Sequence, residues 1–246
     1  MEPGGKALHG ATLGILMLET RFPRVHGDVG NALTFPFPVQ YRVVCGASPD
    51  KVVREDPRKL AEQFIEAGRD LIGLGCDGIS TTCGFLTPLQ RELANALSVP
   101  VATSSLMQIP MLQKMLPNGK RVGVITISRD SLSKAHLLAA GIVNPDTVPV
   151  VGTEQGREFS AAILEDRLTL DFDACRLDLL DAANELVTLH PDVGCIVLEC
   201  TNMAPYAADI RKVTGLPTYS IYSFLCWFQM GLLPERFDNE ADAHRR

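Results

Sequence analysis

Short apolar runs alternate with amphipathic stretches along the first half of the chain. Residues 12–18 form an apolar run between Gly10 and a segment rich in turn residues, which is typical of a buried parallel strand. Apolar residues then recur on one face after Pro57, which predicts a helix. The complete prediction for this half is strands at 12–18, 39–45, 77–82 and 99–103 and helices at 58–73 and 85–97. This alternation predicts a parallel sheet with helices on both faces.

The second half repeats this plan. Its predicted strands are 121–127, 193–198 and 216–220, and its predicted helices are 177–189 and 204–213. Several residues recur at the same offset of 117 positions, namely Cys83 with Cys200, Pro88 with Pro205, and Pro100 with Pro217. An internal repeat of this kind predicts an α/β fold of two pseudo-symmetric lobes, each a parallel sheet flanked by helices.

The repeat also predicts where the chain divides and where a site lies. We expect residues 1–112 together with 219–246 to form the first lobe and residues 113–218 to form the second. The lobes would be joined near residues 110–119, and residues 221–233 would pack back on the first lobe. Ligand sites form preferentially between such units, so we expect the active site in the cleft between the lobes.

Composition and charge narrow the functional classes. The chain has 246 residues, 46% hydrophobic and 21% charged, with a formal net charge of -6, which is the composition of a soluble globular protein. The excess of acidic residues argues against a nucleic-acid partner, for which a basic patch is expected. No apolar run reaches the length of about 18 residues that a transmembrane helix needs, so no membrane partner is expected. Residues 1–9 lack the apolar core of a secretory signal, and we expect a cytoplasmic protein.

Seven cysteines are present, and their spacing argues against disulfide and metal chemistry. Their number is odd and no two form a C-x-x-C pair, so reduced thiols are expected. No histidine stands at ligand spacing from any of them, so we predict no metal site. Free cysteines are among the most buried residues, and we predict core positions without chemistry for Cys45, Cys76, Cys175, Cys195 and Cys226.

Cys83 and Cys200 are instead predicted to be catalytic. Each follows a predicted strand and precedes a predicted helix, and open α/β sheets bind ligands at that edge. The free N–H groups at a helix start favour a thiolate and can hold a carboxylate. Two thiols on opposite faces of one carbon can remove a proton and return it from the far side. The neighbouring candidates for substrate binding are Thr82, Gly84, Thr201 and Asn202.

Two further places offer candidates for substrate binding. Residues 21–37 form a long segment without periodicity after the first strand, where a lid or substrate-reading loop is expected. Arg21, Arg24 or His26 in this segment would pair with a carboxylate or exchange a proton, and the alternative is a solvated connection. Thr126, at the end of the second lobe's first strand, is a candidate carboxylate ligand by the same edge argument.

One glycine pattern resembles a nucleotide-binding motif. Residues 73–78 spell G-x-G-x-x-G, but the pattern follows a predicted helix and precedes a predicted strand, which is the reverse of the nucleotide-binding order. It is therefore predicted to be a helix stop.

The chain resembles the aspartate/glutamate racemase superfamily from Leu13 to about Leu232. The specific part of the resemblance is Thr-Cys-Gly at 82–84 and Cys-Thr-Asn at 200–202, each after a strand. The resemblance implies a two-lobed α/β fold with pseudo-twofold symmetry, no cofactor, and a homodimer or higher homo-oligomer. It also implies that the cysteines of the two motifs act as a paired acid and base on a small carboxylate substrate.

Within the superfamily the chain departs from glutamate racemases. Those enzymes carry Asp-Ser-Gly after the first strand, where this chain has Leu-Glu-Thr at 18–20, and Cys-Asn-Thr where it has Cys-Gly-Phe at 83–85. Residues 14–18, 39–44 and 83–85 are instead similar to the branch that contains the algal dimethylsulfoniopropionate lyases. Enzymes of that branch are thought to use a thiolate to take an α-proton and expel a β-leaving group.

These observations predict an isomerase and leave three alternatives. The leading prediction is a cofactor-independent racemase or epimerase that acts on a small amino acid or related carboxylic acid through Cys83 and Cys200. The first alternative is a lyase that begins β-elimination with a cysteine thiolate. A decarboxylase is less favoured, because arylmalonate decarboxylase resembles this fold with a glycine where Cys83 stands. The last alternative, a non-catalytic protein that binds small acids in the same cleft, would be marked by loss of one cysteine, and both are present.

Overall fold

The computed structural model of the chain describes residues 5–236 and contains two four-stranded parallel sheets. The first sheet has the order β2-β1-β3-β4 and the second the order β6-β5-β7-β8. The strands are β1 Leu13–Leu18, β2 Val39–Val44, β3 Gly78–Thr81, β4 Val101–Ala102, β5 Arg121–Thr126, β6 Val150–Gly152, β7 Val193–Leu198 and β8 Thr218–Tyr219. The predicted α/β fold with two lobes is confirmed, and the two sheets share one strand order.

Helices flank both sheets. The α-helices are α1 Pro49–Arg54, α2 Ala61–Leu74, α3 Gln90–Ala96, α4 Ile109–Met115, α5 Lys134–Ala139, α6 Phe159–Leu164, α7 Phe172–Leu189, α8 Ala207–Thr214 and α9 Ile221–Leu232. Short 3₁₀ helices lie at Pro57–Leu60, Gly84–Leu89, Ser105–Gln108, Pro145–Thr147 and Thr201–Tyr206. No helix in residues 5–236 is both long enough and apolar enough to cross a lipid bilayer.

Helix α2 shows how the local sequence sets these elements. Its buried face includes Phe64 and Leu71, which are fully covered by the first sheet and its neighbours. It ends at Gly75, whose φ of 118° places it in the left-handed region that favours glycine. A Cβ there would lie 2.8 Å from the carbonyl oxygen of Leu8. The glycine pattern at 73–78 is thus a helix stop, as predicted.

Several elements differ from the prediction. The helices predicted at 85–97 and 204–213 begin as 3₁₀ helices and become α-helical only at Gln90 and Ala207. Each 3₁₀ segment contains a proline, Pro88 or Pro205, which has no N–H to donate. The predicted junction at 110–119 contains most of α4, because a proline in the first turn starts that helix.

The C-terminal helix α9 lies against the first sheet. Its buried residues Ile221, Phe224 and Leu225 form one apolar cluster with Leu13 and Ile15 of β1. A second, larger cluster runs through the interior of both lobes. The last helix therefore stabilises the lobe that begins the chain, and the carboxyl ends of the central strands remain free to build a site.

Candidate active site

The pocket that contains both predicted catalytic residues lies between the lobes. It is lined by Cys83 from the first lobe and Cys200 from the second. Both cysteines begin the 3₁₀ helix that follows the third strand of their lobe, β3 or β7. The two cysteines, which are 117 positions apart in the sequence repeat, thus occupy equivalent positions in the two sheets and line one pocket.

Both thiols are buried and face a backbone N–H group. Cys83 is 9% exposed and Cys200 is 7% exposed. Burial raises the pKa of both thiols, and the nearby carboxylate of Glu199 raises both further. The N–H groups of Phe85 and Asn202 act in the opposite direction on the pKa of Cys83 and Cys200, respectively. A thiolate in this pocket therefore needs a further source of stabilisation.

Hydrogen bonds join the two cysteine segments directly. The Thr201 hydroxyl donates to the carbonyl oxygen of Thr82 at 2.7 Å, and the Thr82 hydroxyl accepts from the N–H of Leu18 at 3.0 Å. The Ser105 hydroxyl donates to the carbonyl oxygen of Leu198 at 2.6 Å. Of the predicted substrate-binding residues, Thr201 thus uses its hydroxyl group to join the two lobes, and Thr82 uses its own to join the ends of β1 and β3 within the first lobe.

A chain of polar contacts leads from Cys200 to the segment after β1. The Cys200 thiol donates to Asn202 Oδ1 at 3.5 Å, and Asn202 Nδ2 donates to Asp28 Oδ2. Asp28 Oδ1 accepts from Arg24 Nη1 at 3.0 Å and from the N–H of Gly30 at 2.7 Å. Cys83 has no corresponding side-chain partner among the described residues, so the two cysteines stand in unequal surroundings.

Segment 21–37 contributes Phe22 and Arg24 to the pocket lining and contacts the second lobe. Gly27, with a φ of 98°, approaches Pro205 so closely that a Cβ on it would lie 3.1 Å from the Cα of Pro205. Asp166 of the second lobe accepts hydrogen bonds from the N–H groups of Arg21 at 2.6 Å and Phe22 at 3.1 Å. These contacts give the segment a defined position over the pocket.

The three basic candidates of this segment have different positions. Arg24 lines the pocket, and its side chain is 14% exposed. Arg21 lies outside the pocket lining, with a side chain 71% exposed and paired with Asp166. His26 is also exposed, and its Nε2 contacts the carbonyl oxygen of Leu33 at 3.1 Å. The structure therefore brings Arg24, and neither Arg21 nor His26, to the cysteines.

A buried carboxyl group stands beside both cysteines. Glu199 has no exposed surface, and its Oε2 accepts from the hydroxyl of Thr126 at 2.8 Å. Its Oε1 has no hydrogen-bond partner among residues 5–236. Burial raises the pKa of this carboxyl group to about 7, although contacts with Thr126 and the N–H of Ile127 lower it. Thr126, predicted as a carboxylate ligand, thus holds a carboxylate of the protein itself.

Gly84 is placed by its contact with Glu199. A Cβ at position 84 would lie 2.2 Å from Glu199 Oε1 and 2.4 Å from the Glu199 carbonyl oxygen. No side chain fits between these segments, so the residue that follows the first cysteine must be glycine. Glycine at position 84 therefore leaves room for the carboxyl group of Glu199 beside the cysteines.

Two residues that the sequence analysis did not name as candidates lie at or next to the pocket, Glu199 in its lining and Asp28 in contact with Asn202. A signal for Glu199 was present, because a charged residue directly follows the apolar run 193–198 and directly precedes the cysteine. Asp28 carried no such signal, since turn-rich segments commonly contain aspartate.

The remaining cysteines lie outside this pocket. Cys76, Cys175 and Cys195 are buried, in agreement with the core positions predicted for them, and Cys226 is half-buried. The prediction was wrong for Cys45, which is exposed because it follows the last residue of the edge strand β2. Within residues 5–236 no three or more His, Cys, Asp or Glu side chains are grouped as a metal site requires.

Sequence comparison relates the chain to one group of named enzymes. No protein-family model matches it. It is 28% identical over 246 aligned positions to a dimethylsulfoniopropionate lyase of Durusdinium sp. clade D, which covers 96% of this chain and 79% of that protein. It is 30% identical over 217 positions to dimethylsulfoniopropionate lyase 6 of Emiliania huxleyi, covering 85% of this chain. The match spans little more than half, 56%, of that second lyase.

Solved structures share the fold at low sequence identity. A glycine-to-cysteine mutant of arylmalonate decarboxylase matches with a TM-score of 0.62 and 15% identity, covering 93% of this chain and 96% of that chain. Glutamate racemase from Francisella tularensis, in complex with D-glutamate, matches with a TM-score of 0.56 and 13% identity over 95% of this chain and 87% of that chain. Aspartate racemase from Picrophilus torridus matches with a TM-score of 0.55 and 11% identity, covering 93% and 96%.

Proposed function

We propose that the chain is an enzyme that uses a cysteine thiolate to remove the α-proton of a small carboxylic acid. The proposal proceeds from the two-lobed fold of the aspartate/glutamate racemase superfamily and from the sequence similarity to dimethylsulfoniopropionate lyases. One observation carries the proposal. Cys83 and Cys200 occupy equivalent strand ends of the two lobes and line the same pocket. Proton transfer between a side chain and carbon requires a base held at the reacting atom. The pocket offers two candidate bases, the thiolates of Cys83 and Cys200.

The first candidate reaction is β-elimination from a small carboxylate that carries a sulfonium group, such as dimethylsulfoniopropionate. The thiolate takes the proton from the carbon next to the carboxylate, and the electrons of that C–H bond form the new C=C bond. The bond between the β-carbon and sulfur breaks with its electron pair on sulfur, which leaves as neutral dimethyl sulfide. Acrylate and a protonated thiol remain, and the thiol returns its proton to solvent before the next turnover.

Two observations favour elimination. The named relatives described above are lyases. The two cysteines also have unequal partners, since Cys200 contacts Asn202 and Cys83 has no equivalent side-chain contact among residues 5–236. Elimination needs one base, and unequal surroundings suit a division in which one cysteine takes the proton and the other positions the substrate.

Racemisation or epimerisation, the reaction predicted from the duplicated cysteines, is the second candidate. It is favoured by the presence of both thiols in one pocket, because inversion at carbon requires an acid and a base on opposite faces. In that reaction one thiolate removes the α-proton, the other thiol delivers a proton from the far side, and no bond to carbon other than C–H breaks.

Proton NMR in heavy water distinguishes the two reactions. The purified protein is incubated with dimethylsulfoniopropionate and, in parallel, with both enantiomers of aspartate and glutamate. Vinyl signals from acrylate support the lyase, whereas loss of the α-proton signal with an unchanged carbon skeleton supports the racemase. If no substrate in the panel changes, an enzyme acting on these acids is refuted and the binding-protein alternative is favoured.

Cysteine variants then test the assigned site. Cys83→Ser and Cys200→Ser are each expected to abolish racemisation, whereas a lyase with one base should lose all turnover in one variant and retain part of it in the other. Cys175→Ser is the control, because Cys175 is buried on α7 outside the pocket. Full activity in both site variants would overturn the proposal.

A further inference from the structure

We infer that Glu199 supplies the negative charge that faces a positively charged group of the substrate, so that the pocket selects small carboxylates bearing an alkylated onium group. The inference deepens the proposed function and rests on it. It assigns to Glu199 the role of a specificity-determining residue, distinct from the proton transfer assigned to the cysteines.

The charges in the pocket are not balanced by the protein. Arg24 is paired with Asp28 at 3.0 Å, and Asp28 is further satisfied by Asn202 and Gly30. Glu199 receives one side-chain hydrogen bond, and no Lys, Arg or His of the described chain forms an ion pair with it. The site therefore holds one carboxylate more than it holds cations.

The carboxyl group cannot turn away to find a partner elsewhere. Thr126 holds Oε2, and the residue's own carbonyl oxygen accepts from the Ser105 hydroxyl at 3.2 Å. The backbone of Gly84 lies directly against Oε1. Glu199 also lines the pocket together with both cysteines, so a ligand there would lie near this carboxyl group.

A buried carboxylate without a counter-charge is unfavourable, and a bound cation removes that penalty. Burial already raises the pKa of Glu199 to about 7, so near neutral pH the group takes up a negative charge readily when a cation arrives. The same cation would stabilise a thiolate at either cysteine, whose formation is opposed by burial and by Glu199.

The other walls of the pocket determine which cation fits. They are largely apolar and include Leu18, Phe22, Val53, Phe85 and Ile127. A primary ammonium group has three N–H donors that need acceptors, and an apolar wall supplies none. Sulfonium and quaternary ammonium groups donate no hydrogen bonds and present alkyl surface, so they suit apolar walls with a single counter-charge.

A pair of ligands with equal shape and different charge tests the inference. One is 3-(trimethylammonio)propionate, and the other is 4,4-dimethylpentanoate, in which carbon replaces the charged nitrogen. Neither contains a sulfonium leaving group, so calorimetry reports binding alone. The wild-type protein is expected to bind the cationic ligand at least about tenfold more tightly.

Two variants locate the charge. In Glu199→Gln, which keeps the shape of the side chain, the two ligands are expected to bind with equal affinity. Glu154→Gln, an exposed control on the second lobe, is expected to keep the wild-type preference. Equal affinities in the wild type, or an unchanged preference in Glu199→Gln, would overturn the inference.

The wild type provides a second measurement if Glu199→Gln does not fold. Cation binding should release protons at pH 7, and this is measured by calorimetry in two buffers of different ionisation enthalpy, whereas the neutral ligand should release none. The other titratable and charged groups that line the pocket are Cys83, Cys200 and Arg24. Asp28 contacts two lining residues, Arg24 and Asn202. Equal proton release with both ligands would overturn the inference.

Failure of this inference is distinguishable from failure of the proposed function. Turnover of dimethylsulfoniopropionate without any charge preference in binding would overturn the role of Glu199 and leave the lyase in place. A charge preference that depends on Glu199, without turnover of any substrate, would support the role of Glu199 and overturn the proposed enzyme.

Discussion

Replacing Glu199 by glutamine should make the stability of the protein less sensitive to pH. Burial raises the pKa of this carboxyl group from 4.5 to about 7 in the folded protein. Below pH 4.5 it is protonated in both the folded and the unfolded chain, and burial of the group then carries no penalty from ionisation. Between pH 4.5 and 7 the unfolded chain loses the proton while the folded chain keeps it, so the free energy of unfolding falls as pH rises.

The size of this effect follows from the pKa difference. One pKa unit corresponds to about 1.4 kcal/mol, so the wild type should lose about 3 kcal/mol of stability from this group between pH 4.5 and 8. Glutamine does not ionise, and its carbonyl oxygen can still accept the hydrogen bond from Thr126. Its amide adds an offset that does not depend on pH. The variant should therefore gain about 3 kcal/mol relative to the wild type across this range.

Urea unfolding followed by circular dichroism at several pH values measures this gain. In thermal unfolding the same change corresponds to a relative rise in Tm of about 6 to 12 °C for a chain of this size. Glu154→Gln, at an exposed position, should not reproduce the gain. A difference between wild type and Glu199→Gln that stays constant from pH 4.5 to 8 would show that the carboxyl group is not held protonated by burial.

Three further substitutions test the packing around the site. Gly84→Ala should lower the free energy of unfolding by about 2 kcal/mol and remove turnover, because its Cβ would lie 2.2 Å from Glu199 Oε1. Urea unfolding measures the loss of stability and initial rates measure the loss of turnover. Unchanged rates would contradict the close approach of the two residues. Asp166→Ala removes the acceptor for two N–H groups of the segment over the pocket, including that of Arg21, and should raise KM about tenfold without altering the circular dichroism spectrum. An unchanged KM would mean that other contacts hold the segment. Cys175→Ala should reduce stability by about 1 kcal/mol and leave kcat unchanged, and a large fall in kcat would assign this buried thiol a role in the reaction.

The sequence predicted the long elements better than the short ones. Strand β7 has the predicted bounds of 193–198, because an apolar run of that length is a strong local signal. The elements β6, α5 and α6 were not predicted. Helices of six residues and a strand of three contain too few periods to be recognised from hydrophobic pattern.

Only part of the candidate site could be predicted from the sequence. Two cysteines at equivalent places in a repeat predicted a shared cleft, and the structure places both in one pocket. Which of the three basic residues in segment 21–37 faces that pocket was not predictable. The direction of Arg21 depends on Asp166 of the second lobe, and that of Arg24 depends on Asp28, which contacts Asn202 of the second lobe. Asp166 and Asn202 lie far away along the chain.

The sequence by itself determined the α/β repeat and the position of each cysteine at a strand end, because these depend on residues close together along the chain. Only the tertiary structure decided that Glu199 lies against Gly84 with no cationic side chain paired to it among residues 5–236, and that Asp28 reaches Asn202. Burial, hydrogen bonding and charge balance are properties of residues brought together from both lobes. They set the pKa values of Glu199 and of the two cysteines, and no local pattern contains them.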